Sequence, residues 1–273
     1  MEHGTTDHCT TDLDEAEEDG VARTRPLYRL YEQRLAAELP RDRLPGHIGV
    51  LVDGNRRWAA QSGGSTADGH RAGAEKIIEF LGWCRDLEIP HVTLYVLSTE
   101  NLRRPVEELG PLLEIISDLM SQLQDQSLCR VQAVGAAELL PDDLRRRIEI
   151  LQRVTAGNEG PHLNIAVGYG GRQEIVDAVK EIFTQAIERG EDLGALVEQL
   201  SVEDISQHLY TRGQPDPDLL IRTSGEQRLS GFLMWQSAYS EYYFCEALWP
   251  DFRYVDFLRA LRDYAQRSRR FGG

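Results

Sequence analysis

The sequence predicts an α/β fold, a single domain in which helices surround a mostly parallel sheet of about six strands. Two observations predict it: short apolar runs alternate with segments of helical periodicity, and polar clusters follow the ends of the apolar runs. The chain has 273 residues, of which 41% are hydrophobic. That is enough to form one large core without disulfides.

The predicted elements follow one another along the chain. A first helix is predicted over Leu27–Leu39. Apolar runs rich in β-branched residues then predict strands over Ile48–Val52, Val92–Leu97, Val131–Val134, Leu163–Val167 and Leu219–Ile221. Apolar residues spaced near 3.6 predict helices over Gly73–Leu87, Val106–Leu123, Asp142–Val154, Gln173–Ile187 and Val255–Arg267. Because ligands bind beyond the carboxyl ends of parallel strands, we expect the functional residues directly after these runs.

Charge is distributed unevenly. The first 20 residues carry eight carboxylates and no Lys or Arg, which leaves −7 of the total charge of −15 for the rest. A segment with so many charges and so few apolar residues cannot bury enough apolar surface to offset the entropy cost of ordering. We therefore predict that residues 1–24 form a disordered acidic tail. Residues 25–273 are then the folded domain. Its acidic balance argues against nucleic acid as the main partner.

Nothing in the sequence resembles a signal peptide or a membrane span. The N-terminal segment lacks a basic start and an apolar stretch, and no run of 18 apolar residues occurs. The four cysteines are scattered without a CxxC pair, which is typical of reduced thiols (Cys9, Cys84, Cys129 and Cys245). We therefore predict a cytoplasmic protein, with at most peripheral contact at the inner face of a membrane.

The first polar cluster follows the first predicted strand and reads Asp53-Gly54-Asn55-Arg56-Arg57-Trp58. Glycine allows a close backbone approach to an anion, and an arginine adds a bidentate donor. A carboxylate beside a bound phosphate is a typical Mg²⁺ ligand. The alternative is an ordinary turn with a solvated arginine pair, and the spacing alone does not separate the two.

Two further clusters follow later strands. The segment Ser98–Pro105 ends the second strand, and its alternative role is an N-capping loop before the next helix. After Leu219–Ile221, two arginines and hydroxyl groups surround a glycine in Arg222–Ser230, a pattern that favours a second anion site. Glu241 stands among aromatic residues, where a carboxylate needs a metal or a salt bridge. Two anion sites and a candidate metal carboxylate suit an enzyme with two phosphorylated substrates.

These segments closely resemble the cis-prenyltransferase family, the undecaprenyl diphosphate synthase-like enzymes. The resemblance covers about residues 45–273 and is carried by His47–Trp58, Gly69–Gly73, Leu94–Pro105, Ala166–Val176, Pro217–Asp251 and Arg269–Gly273. It implies the fold of that family, with a hydrophobic product tunnel. It also implies Mg²⁺-dependent condensation of isopentenyl diphosphate with an allylic diphosphate. The variants DGNRRW and STENLRR look most like short-chain members, which implies geranyl diphosphate as primer and (2Z,6E)-farnesyl diphosphate as product.

The resemblance also assigns roles to residues. Asp53 would bind Mg²⁺ and act in catalysis, and Asn101 matches the position of the proton acceptor. Glu241 would complete the Mg²⁺ site. The remaining matched positions would bind the two substrates: Gly54, Asn55, Arg56, Arg57, Trp58, His70, Ser98, Thr99, Glu100, Leu102, Arg104, Arg222, Arg228, Leu229 and Ser230. The family works as a homodimer, and Arg270 and Gly272 match a tail that reaches the partner's site.

Three positions depart from the family's usual pattern. Arg56 stands where glycine is common, and Leu102 stands where tryptophan is common. Both lie beside the expected allylic substrate, so they are consistent with a reshaped tunnel and a short product. Thr66 replaces a usual arginine, which weakens a phosphate role for the 66–70 loop. His70 is either a substrate contact or a residue that starts a helix.

Other activities are excluded because the sequence lacks a residue that each of their motifs requires. A haloacid-dehalogenase-type phosphatase needs an aspartate at Leu51, and a trans-type synthase needs DDxxD, whereas Asp142-Asp143 is followed by Leu-Arg-Arg. The third glycine of a dinucleotide fingerprint would fall on Gln173. Two alternatives stay open: a long-chain polyprenyl diphosphate synthase, and a non-catalytic partner subunit, although such subunits lack the Asp-Gly-Asn-x-Arg loop kept here.

Overall fold

The structure, a computed structural model, describes residues 30–267. The predicted acidic tail over residues 1–24 and the ending that contains Arg270 and Gly272 lie outside the described residues. Of the helix predicted over Leu27–Leu39, residues 30–37 are described and helical, and they are called α1. No helix within residues 30–267 is long and apolar enough to cross a bilayer.

Within the described residues, six parallel strands form one sheet, which confirms the predicted fold class. The strands are β1 (His47–Leu51), β2 (His91–Ser98), β3 (Arg130–Val134), β4 (His162–Tyr169), β5 (Leu219–Arg222) and β6 (Glu241–Phe244), in the spatial order β3-β4-β2-β1-β5-β6. The sequence did not predict β6. It has only four residues and lies half-exposed at the edge of the sheet, so it shows no apolar alternation.

Helices connect and flank the strands. They are α2 (Asn55–Gln61), α3 (Thr66–Asp86), α4 (Val106–Gln126), α5 (Asp142–Thr155), α6 (Gly171–Glu188), α7 (Leu193–Gln199), α8 (Val202–Ser206) and α9 (Tyr254–Gln266). α3 begins seven residues before the predicted start at Gly73. A capping box explains this start, because the Asp68 N–H donates to Ser65 Oγ and the Ser65 N–H donates to Asp68 Oδ2. The predicted 66–70 loop is therefore the first turn of α3.

The chain divides into two compact units. The larger one, Leu44–Arg253, contains the sheet. The smaller one combines the N-terminal segment up to Arg43 with the C-terminal segment from Tyr254. In the smaller unit, the guanidinium of Arg259 lies 5.7 Å from the ring centre of Tyr31. The assignment of residues 25–273 to one domain stays a prediction.

The order of the strands places a crevice between β1 and β5. The chain leaves β1 towards β2 on one side, whereas β5 leads to β6 on the other side. Where the connections that follow two neighbouring parallel strands run to opposite sides of the sheet, a crevice opens beyond the carboxyl ends of those strands. The register pairs Leu51 with Arg222, so the residues that follow β1 meet the end of β5 at this point.

Candidate active site

A cavity of about 610 Å³ opens at the carboxyl ends of β1, β2 and β5. Most of the residues predicted for the site line it, although they come from distant parts of the sequence. Those residues are Asp53, Gly54, Asn55, Arg56, Arg57, His70, Ser98, Glu100, Asn101, Arg104, Arg222, Arg228 and Ser230. The fold thus joins the three polar clusters into one site.

Asp53 pairs with Arg222 across the crevice. Arg222 Nη2 donates to Asp53 Oδ2 at 2.7 Å. Burial alone would raise the pKa of Asp53, but the hydrogen bond and charge of Arg222 outweigh it and lower that pKa. Asp53 is therefore ionised at neutral pH, and 37% of its side chain stays exposed to the cavity side. The carboxylate is available to a ligand.

The backbone on both sides of Asp53 is fixed. The Asp53 N–H donates to Thr223 Oγ1 at 3.0 Å, and the Trp249 N–H donates to the Asp53 carbonyl at 3.0 Å. Gly54 follows with φ +112, and a Cβ there would lie 2.9 Å from a side-chain atom of Leu248. Only glycine fits this conformation and this space, so Gly54 is required by the turn.

Arg222 also orders the loop that carries the second predicted anion site. Its side chain is 5% exposed, and Nη1 donates to Ser230 Oγ at 3.0 Å and to the Arg228 carbonyl. The loop is held from the far side by α6, because the Gly171 N–H donates to the Gly231 carbonyl at 3.1 Å. A Cβ on Gly171 would lie 2.3 Å from that oxygen, so the close approach needs glycine.

The loop after β2 folds on itself. The Ser98 N–H donates to Asn101 Oδ1 at 3.2 Å, and the Asn101 N–H donates to Ser98 Oγ at 3.1 Å. These bonds shape a 3-10 turn over Asn101–Arg103, followed by Pro105 at the N-cap of α4. The loop therefore starts a helix and also lines the cavity with Ser98, Glu100 and Asn101.

Two glutamates pair with the arginines of the cavity. Glu108 Oε1 accepts from Arg104 Nη1 at 2.9 Å and from Arg56 Nη1 at 3.4 Å. Glu226 forms ion pairs with Arg228 and, at 3.9 Å, with Arg57. The sequence analysis did not identify either glutamate, because helical and loop carboxylates are usually solvated.

His70 lies in the first two turns of α3 and faces the cavity. Burial lowers its pKa to about 4, with further lowering by the charges of Arg104 and Arg56, so the ring is neutral at physiological pH. Its Nε2 is buried and has no hydrogen-bond partner within residues 30–267. His70 is thus an early helix residue that lines the cavity, and its contact with a substrate stays a prediction.

The cavity continues into a small apolar recess between α3 and α4. The recess has about 30 Å³ of space and shares Val52, Asn55, His70, Val96 and Leu112 with the main cavity. Its other walls come from Gly73, Ala74, Ile77, Ile115, Ile116 and Leu119. Since about 10–15 Å³ of such space holds one water, the recess admits only about two or three groups of that size.

The structure does not bring Glu241 to Asp53. Glu241 pairs with Leu219, and Leu219 pairs with Ile48, so Glu241 lies level with the start of β1. Asp53 follows the other end of β1, roughly 16 Å further along the strand direction at about 3.3 Å per residue. Asp53 and Glu241 of one chain therefore lie too far apart to share an ion, and the role of Glu241 in a Mg²⁺ site stays a prediction.

Four other predicted binding residues lie outside the cavity lining. Trp58 Nε1 donates to Asp251 Oδ1 at 2.8 Å, and Leu229 packs against the core cluster that contains Tyr169 and Phe232. Thr99 donates to Glu100 Oε2 at 3.3 Å, and Leu102 lies in the 3-10 turn after β2. All four are adjacent in sequence to residues that line the cavity.

Several residues that line the cavity were not predicted from the sequence. Val52, Tyr95, Val96 and Leu112 line the cavity, and the ring of Tyr95 stacks on Phe232 with centroids 4.9 Å apart. Burial, with a smaller effect of Glu100, raises the pKa of Tyr95 to about 12, so its hydroxyl stays protonated. Sequence gave no signal for these residues, since they are hydrophobic or aromatic and lie in predicted strands and a helix.

The donor set determines which metal could bind. No group of three or more His, Cys, Asp or Glu side chains arranged to hold a metal occurs in the described part of the chain. Mg²⁺ needs no such cage, because it is commonly held by one or two carboxylates together with substrate phosphate oxygens and water. The ionised, partly exposed carboxylate of Asp53 fits this chemistry.

Comparison with known proteins identifies the same architecture. Residues 51–272 match the Prenyltransf family, the undecaprenyl diphosphate synthase family. A (2Z,6E)-farnesyl diphosphate synthase of Thermobifida fusca is 56% identical over 248 residues, which are 90% of this chain and 97% of the relative. The isoprenyl transferase 1 of Streptomyces avermitilis is 54% identical over 248 residues, covering 91% and 96% of the two chains.

The fold of this chain is also similar to that of a solved prenyl diphosphate synthase. Lavandulyl diphosphate synthase from Lavandula x intermedia, in complex with dimethylallyl diphosphate, superposes with a TM-score of 0.79 at 34% identity, and the match covers 85% of this chain and all of that one. The match to the family extends over most of the chain and includes every residue that lines the cavity. The chain therefore belongs to the undecaprenyl diphosphate synthase family, and it is a cis-prenyltransferase that elongates prenyl chains.

Proposed function

We propose that this enzyme condenses isopentenyl diphosphate with geranyl diphosphate to give (2Z,6E)-farnesyl diphosphate, and that the reaction depends on Mg²⁺. The observation that carries the proposal is the shape of the cavity, which is cationic at its wide end and apolar in its small recess. Two diphosphates suit the cationic end, and the apolar recess marks the side of the cavity on which the hydrocarbon tail would begin. The names of the Thermobifida fusca and Mycolicibacterium smegmatis relatives support this product.

The primer is proposed to place its diphosphate at the loop after β1. The loop supplies Asp53, Gly54 and Arg57, and Arg104 also lines the cavity. The tail of the primer would then point towards the apolar recess beside Leu112, which is too small to enclose the whole tail. Isopentenyl diphosphate would lie at the second anion site, where Arg222, Arg228 and Ser230 form a connected hydrogen-bonded group.

The chemistry follows from the charges. Mg²⁺ held by Asp53 and the diphosphate oxygens would stabilise the charge that develops as the allylic C–O bond breaks. Arg57 and Arg104 share that task as bidentate donors. The isopentenyl double bond attacks the allylic carbon, and a proton leaves its C2. Asn101 is proposed to orient the proton for departure to a diphosphate oxygen, because an amide oxygen is only weakly basic.

Holding both reagents in line is a large part of catalysis, because it removes translational and rotational entropy before the reaction. In this site, Arg222 would keep the two binding positions in a fixed arrangement. Its side chain is hydrogen-bonded both to Asp53 and to the loop of Arg228 and Ser230. One buried side chain thereby fixes the distance between the two proposed diphosphate sites. This arrangement supports a two-substrate reaction.

We also propose that the enzyme acts as a homodimer in the cytoplasm. The edge strand β6 carries Phe244, which is 38% exposed, and Tyr239 just before it is 79% exposed. An edge strand with exposed aromatic residues is suited to contact with a second copy. Arg270 and Gly272, which lie outside the described residues, are proposed to reach the partner's site.

The test is to incubate the purified chain alone with Mg²⁺, labelled isopentenyl diphosphate and either geranyl or farnesyl diphosphate, and to resolve products by length. A fifteen-carbon product from geranyl diphosphate is expected. Products of about fifty carbons or more would support the long-chain alternative instead. No product from either primer would support a non-catalytic partner subunit and contradict the proposal.

A further inference from the structure

Glu108 on α4 holds two arginines of the cavity through a single oxygen atom. Arg104 Nη1 lies 2.9 Å from Glu108 Oε1, and Arg56 Nη1 lies 3.4 Å from the same oxygen. Both arginines line the cavity, whereas Glu108 does not. The contact joins α2, which carries Arg56, to α4 beside the place where a diphosphate would bind.

The local charges explain why Glu108 is held there. Burial lowers the pKa of Arg104, and the nearby charge of Arg56 lowers it further, whereas Glu108 raises it. The same two arginines disfavour protonation of His70. Glu108 is thus the carboxylate that offsets the repulsion between two cations that line one wall.

Arg56 and Arg104 each form an ion pair with the same carboxylate, that of Glu108. Each cation therefore faces the cavity with a carboxylate already bound to it. A diphosphate must displace that carboxylate before it can use both guanidinium groups.

We propose that Glu108 weakens diphosphate binding and speeds diphosphate release, because its carboxylate competes with the ligand for Arg56 and Arg104. The inference rests on the proposed function, in which Arg104 contacts the diphosphate that leaves the primer, and it adds Arg56 to that contact. After the diphosphate has displaced Glu108 from the arginines, the Glu108 carboxylate still lies a few ångströms from the diphosphate and repels it. Arg56 and Glu108 are 58% and 29% exposed, so solvent screens the effect to a moderate size.

The experiment measures binding of inorganic pyrophosphate, with Mg²⁺ at a fixed concentration, to the full chain by calorimetry at low ionic strength. Glu108→Gln keeps the shape and a hydrogen-bond acceptor but removes the charge. We expect its Kd to fall roughly three- to tenfold, as Coulomb repulsion at a partly screened site implies. Glu107→Gln is the matched control, because Glu107 is exposed, adjacent on α4, and has no ion pair within residues 30–267.

A second pair of variants locates the effect. Arg56→Gly removes the cation and should weaken binding. The double variant Arg56→Gly/Glu108→Gln should return close to the wild-type Kd, because it loses one charge of each sign. If Glu108→Gln binds pyrophosphate as weakly as wild type or more weakly, or if Glu107→Gln tightens binding equally, the proposal is wrong.

Arg104→Ala separates this proposal from the proposed function. It should raise the Kd at least tenfold if a diphosphate binds where we propose. An unchanged Kd in Arg104→Ala would contradict the placement of the primer diphosphate itself. A raised Kd in Arg104→Ala together with no tightening in Glu108→Gln would contradict only the role of Glu108. Circular dichroism melting of each variant checks that the fold is intact.

Discussion

Asp53 is held by residues that are far away in sequence. Arg222 binds its carboxylate, Thr223 binds its backbone N–H, and Trp249 binds its carbonyl. Each contact comes from beyond residue 220, so the loop after β1 has its shape only when β5 is in place. At the scale of single residues, the site is therefore an ion pair set in a fixed backbone.

Asp53→Asn should lower kcat by about a thousandfold. The substitution removes the charge that we propose holds Mg²⁺ against the leaving diphosphate, and electrostatic stabilisation of this kind contributes roughly 10²–10³-fold. The measurement is steady-state turnover with geranyl and isopentenyl diphosphate at saturating Mg²⁺.

The control for Asp53→Asn is thermal unfolding. Arg222 keeps its hydrogen bonds to Ser230 and to the Arg228 carbonyl, so we expect a modest decrease in Tm rather than loss of the fold. Turnover within about threefold of wild type in a folded variant would contradict the proposed metal role.

At the scale of elements, α6 anchors the loop that carries the second anion site. Glu174 on α6 is 1% exposed and accepts hydrogen bonds from Tyr169 Oη at 2.5 Å, Gln236 Nε2 at 3.0 Å and the Tyr210 N–H at 3.0 Å. Burial raises the pKa of Glu174, opposed by these bonds. Gln236 lies six residues after Ser230, so Glu174 ties the loop to the helix.

Glu174→Gln should raise the KM for isopentenyl diphosphate about tenfold and leave the KM for the primer nearly unchanged. A glutamine has one acceptor oxygen in place of two, so a buried donor loses its partner, at a cost of roughly 1–3 kcal/mol. The loosened segment carries Arg228 and Ser230, whereas the loop of Asp53 is anchored elsewhere. Initial rates at varied concentrations of each substrate measure the two KM values.

Asp177→Asn is the matched control for that prediction. Asp177 lies one turn later on α6 and accepts from Tyr210 Oη at 2.6 Å, but it has no bond to the Gln236 segment in the described residues. Its effect on both KM values should be small. Equal increases in both KM values for Glu174→Gln would indicate general destabilisation instead of loop positioning.

At the scale of the whole molecule, the carboxyl ends and the amino ends of the strands carry different side chains. The cationic cavity lies at the carboxyl ends of the strands. At the amino ends, a row of histidines occupies the first positions of β1, β2 and β4: His47, His91 and His162. Burial lowers the pKa of His47 and of His162 to about 4 each, and it also lowers that of His91. His47 has both ring nitrogens in hydrogen bonds, to the Pro215 carbonyl and to Thr93 Oγ1, which a neutral ring satisfies.

The free energy of unfolding should therefore decrease as pH falls from about 6.5 to about 4. The unfolded chain takes up protons on these histidines near pH 6.5, whereas the folded chain resists protonation until about pH 4. The unfolded state thus binds more protons in this window, so stability rises with pH and is lost on acidification. His47 alone contributes about 3 kcal/mol over the window, as an order of magnitude.

Urea unfolding at a series of pH values tests this in variants, because carboxylates also titrate in the window. His47→Asn should flatten the dependence of the unfolding free energy on pH between 6.5 and 4. An unaltered slope in His47→Asn would show that the row does not govern the acid stability.

The predicted strands and helices came mostly from local periodicity. The strand starting near Ile48 and the long helix beginning at Val106 follow from apolar spacing that any fold of this class would need. β6 and the early start of α3 were missed, because one is a short edge strand and the other depends on a capping box in a polar segment. Local signals thus predict buried elements well and exposed ones poorly.

By itself, the sequence determined the class of fold, the presence of polar clusters after β1, β2 and β5, and the resemblance to a family. Only the tertiary structure decided which of those side chains share a cavity. It separated Glu241 from Asp53 by the strand register, and it added Tyr95, Leu112 and Glu108 to the site. The physical reason is that side-chain chemistry is local, whereas distances across a parallel sheet are set by strand order and register.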